Sequence, residues 1–145
     1  MKAIAIIPAR LASTRMSRKM LREIAGQPLI GRVYTAVRSS PLLDDVIIAT
    51  DADEILQVCE RNGWKVRMTS AAHRSGTERV NEVAKTVAAD VYINVQGDEP
   101  MTRPEQIASL RTRASAHYIE EHRRESFNVE WQAQVRALGV RPGRR

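Results

Sequence analysis

Four apolar runs of strand length alternate with three helical stripes inside the first hundred residues, and this alternation restricts the fold more than any other feature. Residues 2–7 form a short run, rich in isoleucine, that stops at Pro8, as a buried strand does. Pro8 is followed by a polar, cationic stretch over 9–26 that reads as a long loop. Pro28 opens a helix in which Leu29, Ile30, Val33, Tyr34 and Val37 keep the 3.6-residue period. Residues 46–50 are a second strand. Ala52, Ile55, Leu56 and Cys59 form the next helical stripe, stopped by Asn62-Gly63. Residues 64–68 alternate as a third strand, Val80, Val83, Ala84 and Val87 make a third stripe, and residues 91–95 are a fourth strand. Repeated strand–helix units of this length predict right-handed crossovers and an α/β fold with a mostly parallel sheet. Sheets of that kind bind ligands beyond the carboxyl ends of their strands. The segments there are 8–19, 50–51, 69–79 and 96–100, and they hold much of the polar chemistry.

Beyond Pro104 the pattern changes. Residues 107–125 are expected to be helical, and apolar residues at Phe127, Val129, Trp131, Ala133, Val135 and Ala137 alternate as in a half-buried strand. The net charge of +6 is shared between the two parts: residues 1–103 carry 15 Lys+Arg against 12 Asp+Glu, and residues 104–145 carry 8 against 5. All eight cations of the second part are arginine. The excess comes with no nucleic-acid motif, so a nucleic-acid partner is not expected. No apolar run approaches the roughly 20 residues of a membrane span, and the first apolar run is too short for a signal peptide. With Cys59 the single cysteine, a disulfide framework is excluded. These features together predict a cytoplasmic protein without a membrane partner.

Three segments carry candidate chemistry. Arg10, Arg15, Arg18 and Lys19 fall within ten residues, with the hydroxyls of Ser13 and Thr14 among them. Charge-assisted hydrogen bonds make such a loop suited to a triphosphate, although neither the P-loop nor the dinucleotide glycine pattern occurs. The plain alternative is a solvated basic loop. In Asn94-Val95-Gln96-Gly97-Asp98-Glu99-Pro100 a strand delivers an amide and two carboxylates to the sheet edge. A carboxylate there suits Mg²⁺, a hard cation that prefers oxygen; an ordinary turn is the other reading. In His73-Arg74-Ser75-Gly76-Thr77-Glu78-Arg79, Ser75 or Thr77 can cap a helix whose first amides face an anion or a base. A cap with an exposed salt bridge explains the same residues without a ligand. Cys59 falls on a core stripe and is assigned no chemistry.

Taken in order, Pro8-Ala9-Arg10-Leu11-Ala12-Ser13-Thr14-Arg15 with Lys19, Ala49-Thr50-Asp51, Ser75-Gly76-Thr77-Glu78-Arg79 and the segment from Asn94 to Pro100 resemble the 3-deoxy-manno-octulosonate (Kdo) cytidylyltransferase family. The resemblance covers about residues 1–105, read as the nucleotide-binding portion, with 106–145 an atypical basic tail. It implies a Rossmann-like nucleotidyltransferase fold, a three-layer sandwich, here truncated. The activity it implies is Mg²⁺-dependent transfer of CMP from CTP to Kdo, for lipopolysaccharide synthesis. CTP and Kdo are then the partners, with a homodimer expected of the family. The resemblance assigns Arg10 and Lys19 to the CTP phosphates, with Ser13, Thr14 and Arg15 shaping that loop. It sets Ser75, Gly76, Thr77 and Arg79 by the nucleotide, Gln96 near the sugar or ribose, and Asp98 on the metal, so that Lys19 and Asp98 are the catalytic candidates. Two departures stand out. The family pattern has glycine where this chain has Arg18, and residues 106–145 do not resemble the family's continuation. A frameshift or truncation is therefore expected, with slow turnover. The alternatives are a non-catalytic nucleotide-binding remnant, a relative of CMP-sialic acid synthetase, and a small basic interaction protein.

Overall fold

The structure, a computed structural model, describes residues 2–11, 18–97, 103, 105–107 and 109. Its centre is a four-stranded parallel sheet whose strands lie side by side in the order Val66–Met68, Asp45–Thr50, Ala3–Ala9 and Val91–Asn94. The strands are β1 (Ala3–Ala9), β4 (Asp45–Thr50), β5 (Val66–Met68) and β6 (Val91–Asn94). The minor strands β2 (Glu23–Ile24) and β3 (Gln27–Pro28) form a two-residue antiparallel ribbon. The three helices are α1 (Leu29–Arg38), α2 (Asp53–Arg61) and α3 (Gly76–Ala84). The α/β architecture expected from the alternation is present.

The pleat of β1 separates the core into two layers. Ala3, Ala5, Ile7 and Ala9 join Ile30, Val33 and Val37 of α1, and Ile55 and Cys59 of α2, on one face. Ile4 and Ile6 point the other way and meet Val80 and Val83 of α3, together with Tyr92. This division follows from topology. The first two crossovers step from β1 through β4 to β5, whereas the third returns past β1 to β6. Right-handed connections running in opposite directions must lie on opposite faces. The turn in direction leaves a crevice between β1 and β6 at their carboxyl ends.

Three expectations need correction. Strand β1 does not stop before Pro8 but runs through it to Ala9. On β1 the even-numbered residues face β6, whose ladder ends with the Val95 N–H bond to the Ile6 carbonyl, 3.1 Å. Pro8 therefore faces the side where no further donor is needed, which removes the usual cost of proline in a central strand. The stretch over 9–26 is not a plain loop, since it holds a 3₁₀ turn at Lys19–Leu21 and one strand of the ribbon. The strand expected over 64–68 shortens to three residues, because Trp64 turns onto α1 to meet Tyr34, with ring centroids 5.8 Å apart. The expected strand over 127–137 and most of the expected helix over 107–125 lie outside the described residues. Residues 105–107 and 109 are helical, and Ile107 is buried in the layer under α1 and α2.

The α1–Trp64 packing yields a test in which two effects oppose each other. A Cβ on Gly31 falls 2.3 Å from Cη2 and 2.8 Å from Cζ2 of Trp64. Alanine improves helix propensity by up to about 1 kcal/mol, but overpacking costs about 1–3 kcal/mol. Tyr34 backs the indole, so overpacking wins. Gly31→Ala is expected to lower stability by about 1 kcal/mol or more, measured by urea unfolding with tryptophan fluorescence.

Candidate functional site

Pro8, at the carboxyl end of β1, is where the separated segments meet. A Cβ on Gly97, just past β6, falls 2.7 Å from the Pro8 carbonyl oxygen and 3.2 Å from both Cε and Sδ of Met20. Only glycine lets the chain after β6 approach the backbone of β1 this closely. A Cβ on Gly76, at the start of α3, falls 3.0 Å from Cγ of Pro8 and 3.9 Å from Oε1 of Gln96. The helix start, the end of β6 and the end of β1 thus share one edge of the sheet. Gln96 is half-buried there, and its Nε2 lies 3.4 Å from Oδ1 of the buried Asn94. The exposed Arg10 leaves β1 at the same edge, and Lys19 opens the 3₁₀ turn that carries Met20 against Gly97.

Helix α3 starts as its sequence indicates. Ser75 is the N-cap, in extended backbone, and its Oγ accepts the Glu78 N–H at 3.2 Å. Glu78 reaches back to accept the Arg74 N–H at 2.8 Å, so one open donor of the first turn and one in the segment before it are satisfied locally. Between the two residues offered as caps, the structure selects Ser75. Thr77 is half-buried in the first turn.

Arg79 is turned inward. Its guanidinium has no exposure; Nη1 donates to Oγ1 of Thr69 and to the Ser70 carbonyl at 3.3 Å. Nη2 stands 3.4 Å from Oδ2 of Asp51, while Nε and Nη2 have no hydrogen-bond acceptor among the described residues. This one side chain ties the end of β4, the end of β5 and α3 together beneath the loop edge. The signal was present in the sequence: Arg79 immediately precedes Val80 on the stripe that includes Val83, and a cation among core positions calls for a buried carboxylate. A second tie holds the segment before α3, where His73 Nε2 meets Glu82 Oε2 and His73 Nδ1 lies 3.8 Å from Glu78 Oε2. The hydrogen bond from His73, with the Ser70 N–H as a second donor at 3.0 Å, holds the Glu82 carboxyl below its ordinary value of 4.5. Cys59 is buried, and burial pushes its thiol up to about 11, which leaves it inert at neutral pH.

Arg10, Lys19, Ser75, Gly76, Thr77 and Gln96 are therefore placed at the sheet's carboxyl edge, with Arg79 beneath it. Ser13, Thr14, Arg15 and Asp98 lie outside the described residues. Among the described residues no group of three His, Cys, Asp or Glu side chains could hold a metal ion, and the one carboxylate at the end of β4, Asp51, is taken by Arg79. The described residues alone do not fit Mg²⁺. No helix among them is long and apolar enough to cross a membrane.

Comparison with known proteins adds three findings. The family model for "Cytidylyltransferase" matches residues 4–135. The 3-deoxy-manno-octulosonate cytidylyltransferase of Koribacter versatilis is 63% identical over 109 residues, which are 75% of this chain and 42% of that protein. The enzyme of the same name from Chlorobium phaeobacteroides is 50% identical over 107 residues, 74% of this chain and 43% of its own. A solved structure of CMP:2-keto-3-deoxy-manno-octonic acid synthetase complexed with CTP superposes with a TM-score of 0.76 at 42% identity, covering 77% of this chain and 46% of that one. The chain spans less than half the length of these relatives.

Two tests follow from the ties beneath the edge. Replacing Arg79 with Met strands the Asp51 carboxylate and the Thr69 hydroxyl, and breaking a buried pair costs about 3–5 kcal/mol. Asp51 keeps some water contact, with 23% of its side chain exposed. Arg79→Met is therefore expected to lose about 3 kcal/mol in urea unfolding, at the lower end of that range. The second test concerns pH. The depressed Glu82 carboxyl contributes stability above its ordinary value of 4.5 that is lost as pH falls through the lower folded value. The stability difference between the parent and Glu82→Gln should be full above the ordinary value of 4.5 and shrink as the pH falls below it.

Proposed function

This chain belongs to the cytidylyltransferase family, and from that premise we propose that it holds the nucleotide half of an enzyme that transfers CMP from CTP to Kdo and releases pyrophosphate. The observation that supports this most is convergence. Segments dispersed over about ninety residues of sequence, at Arg10, Lys19, Ser75–Thr77 and Gln96, come to one edge of a parallel sheet, around Pro8. The relatives named for this reaction share up to 63% of the aligned residues.

The chemistry needs no covalent enzyme intermediate. The anomeric hydroxyl oxygen of Kdo attacks the α-phosphorus of CTP and gives up its proton to solvent. The bond from that phosphorus to the bridging oxygen breaks, and pyrophosphate leaves with the electron pair. Arg10 and Lys19 bind the β- and γ-phosphates and take up the charge that develops there. The start of α3, from Ser75 to Thr77, offers backbone donors to the nucleotide, and Gln96 offers an amide to the ribose or the sugar. Arg79 serves this site from beneath, by holding the ends of β4 and β5. Ser13, Thr14 and Arg15 would complete the phosphate loop, and Asp98 would be the carboxylate that holds Mg²⁺, which would neutralise phosphate charge. A cytoplasmic homodimer acting in lipopolysaccharide synthesis belongs to the same proposal.

Calorimetry tests the reading directly. CTP should bind more tightly than ATP or GTP, because a site built for one base edge leaves its own polar groups unpaired with another. Arg10→Ala and Lys19→Ala should each weaken CTP by about 1.5–3 kcal/mol. Equal affinity for the three nucleotides would remove the cytidylyl assignment. CTP binding unchanged in both variants would leave the loop a solvated basic surface.

A further inference from the structure

Arg18, where the phosphate loop rejoins the described chain, has a side chain already committed to a partner. Both arms of its guanidinium meet the Glu54 carboxylate: Nη1 donates to Oε1 at 3.0 Å, and Nη2 pairs with Oε2. Glu54 lies in the first turn of α2, where the helix dipole favours a carboxylate and fixes its place. The backbone of Arg18 is equally unusual. It has φ +62° and ψ +24°, the left-handed conformation that L side chains rarely adopt. In that conformation its N–H donates to the Leu11 carbonyl at 2.8 Å, which brings together the two ends of the segment 12–17. Its carbonyl accepts the Leu21 N–H at 3.1 Å and so closes the 3₁₀ turn that begins with Lys19.

We propose that Arg18 is a positioning residue, whose forked pair with Glu54 holds the neck of the phosphate loop in a left-handed turn and thereby sets Lys19. Two consequences distinguish this role from phosphate binding. A two-pronged pair uses the fork that would otherwise take a phosphate, so Arg18 is withdrawn from the ligand set. The tether also supplies, through a side chain, the backbone conformation that glycine reaches unaided. The proposal rests on the CTP reading for its link to function, but the neck itself can be measured without nucleotide.

The experiment uses the full chain and three variants: Glu54→Gln, Arg18→Gly and the double variant. Hydrogen exchange of the residue-18 amide reports the bond to Leu11, calorimetry reports CTP affinity, and thermal melting reports global stability. Exposed ion pairs add little to global stability, so the melting temperature of Glu54→Gln should hardly move. Its residue-18 amide should exchange about two- to fivefold faster, and CTP should bind about two- to fivefold more weakly, although a negative charge has been removed. Arg18→Gly should recover CTP affinity, and adding Glu54→Gln to it should change nothing further. Tighter CTP binding in Glu54→Gln would show that Arg18 is a phosphate ligand restrained by Glu54, and would overturn the proposal. Unchanged exchange at residue 18 would overturn it as well. If the parent binds no CTP, faster exchange in Glu54→Gln keeps the positioning role while the nucleotide reading fails.

Discussion

Complete burial of β1 is the constraint on which the rest of this structure depends. Its apolar side chains from Ala3 to Ala9 have no exposure, and it is bordered by β4 on one side and β6 on the other. A strand closed on both faces and both edges can offer chemistry only at its ends. Its first residues are tied off by carboxylates, with Asp44 accepting the Ala3 N–H and Asp90 the Lys2 N–H, each at 2.7 Å. Among the described residues no carboxylate ties off its carboxyl end in this way. There the direction of the crossovers reverses, Gly76 and Gly97 close on Pro8, and Met20 packs against Gly97. The location of the candidate site is thus a consequence of how the core is packed.

Charge organises that edge in two layers. Beneath it, Arg79 binds Asp51, Thr69 and the Ser70 carbonyl without reaching solvent, and so fixes the ends of three elements. At its rim, Arg18 is matched to Glu54. Each of these arginines is matched by a carboxylate, so neither pair adds to the net charge of +6, which comes from other cations. Arg10, exposed where β1 ends, keeps the position expected of a phosphate ligand.

Much of the fold was legible because its signals are local and redundant. The α1 stripe of Leu29, Ile30, Val33, Tyr34 and Val37 is buried throughout, and Asn62-Gly63 ends α2 with Gly63 at φ +70°. The site's edge was legible too, since parallel sheets place ligands at strand ends regardless of sequence detail. What escaped depends on contacts distant in the chain. Pro8 resembles a strand stop until β6 is seen to end beside it, and Trp64 reads as strand until Tyr34 draws it onto α1. Arg79 reads as a nucleotide contact; its place beside Val80 hints at an inward turn, but Asp51 and Thr69, which receive it, are distant in sequence. Arg18 reads as one more loop cation until α2 presents Glu54.

In the proposed function, groups separated in sequence form one nucleotide site at the carboxyl edge of the sheet. Amide chemical-shift mapping of the isotope-labelled chain during CTP titration tests it most directly. Perturbations are expected at Arg10, Lys19, Ser75, Gly76, Thr77, Gln96 and Gly97, with Asp44, Asp90 and the amino-terminal ends of the strands unchanged. Saturable shifts confined to that opposite end, or none at all, would contradict it.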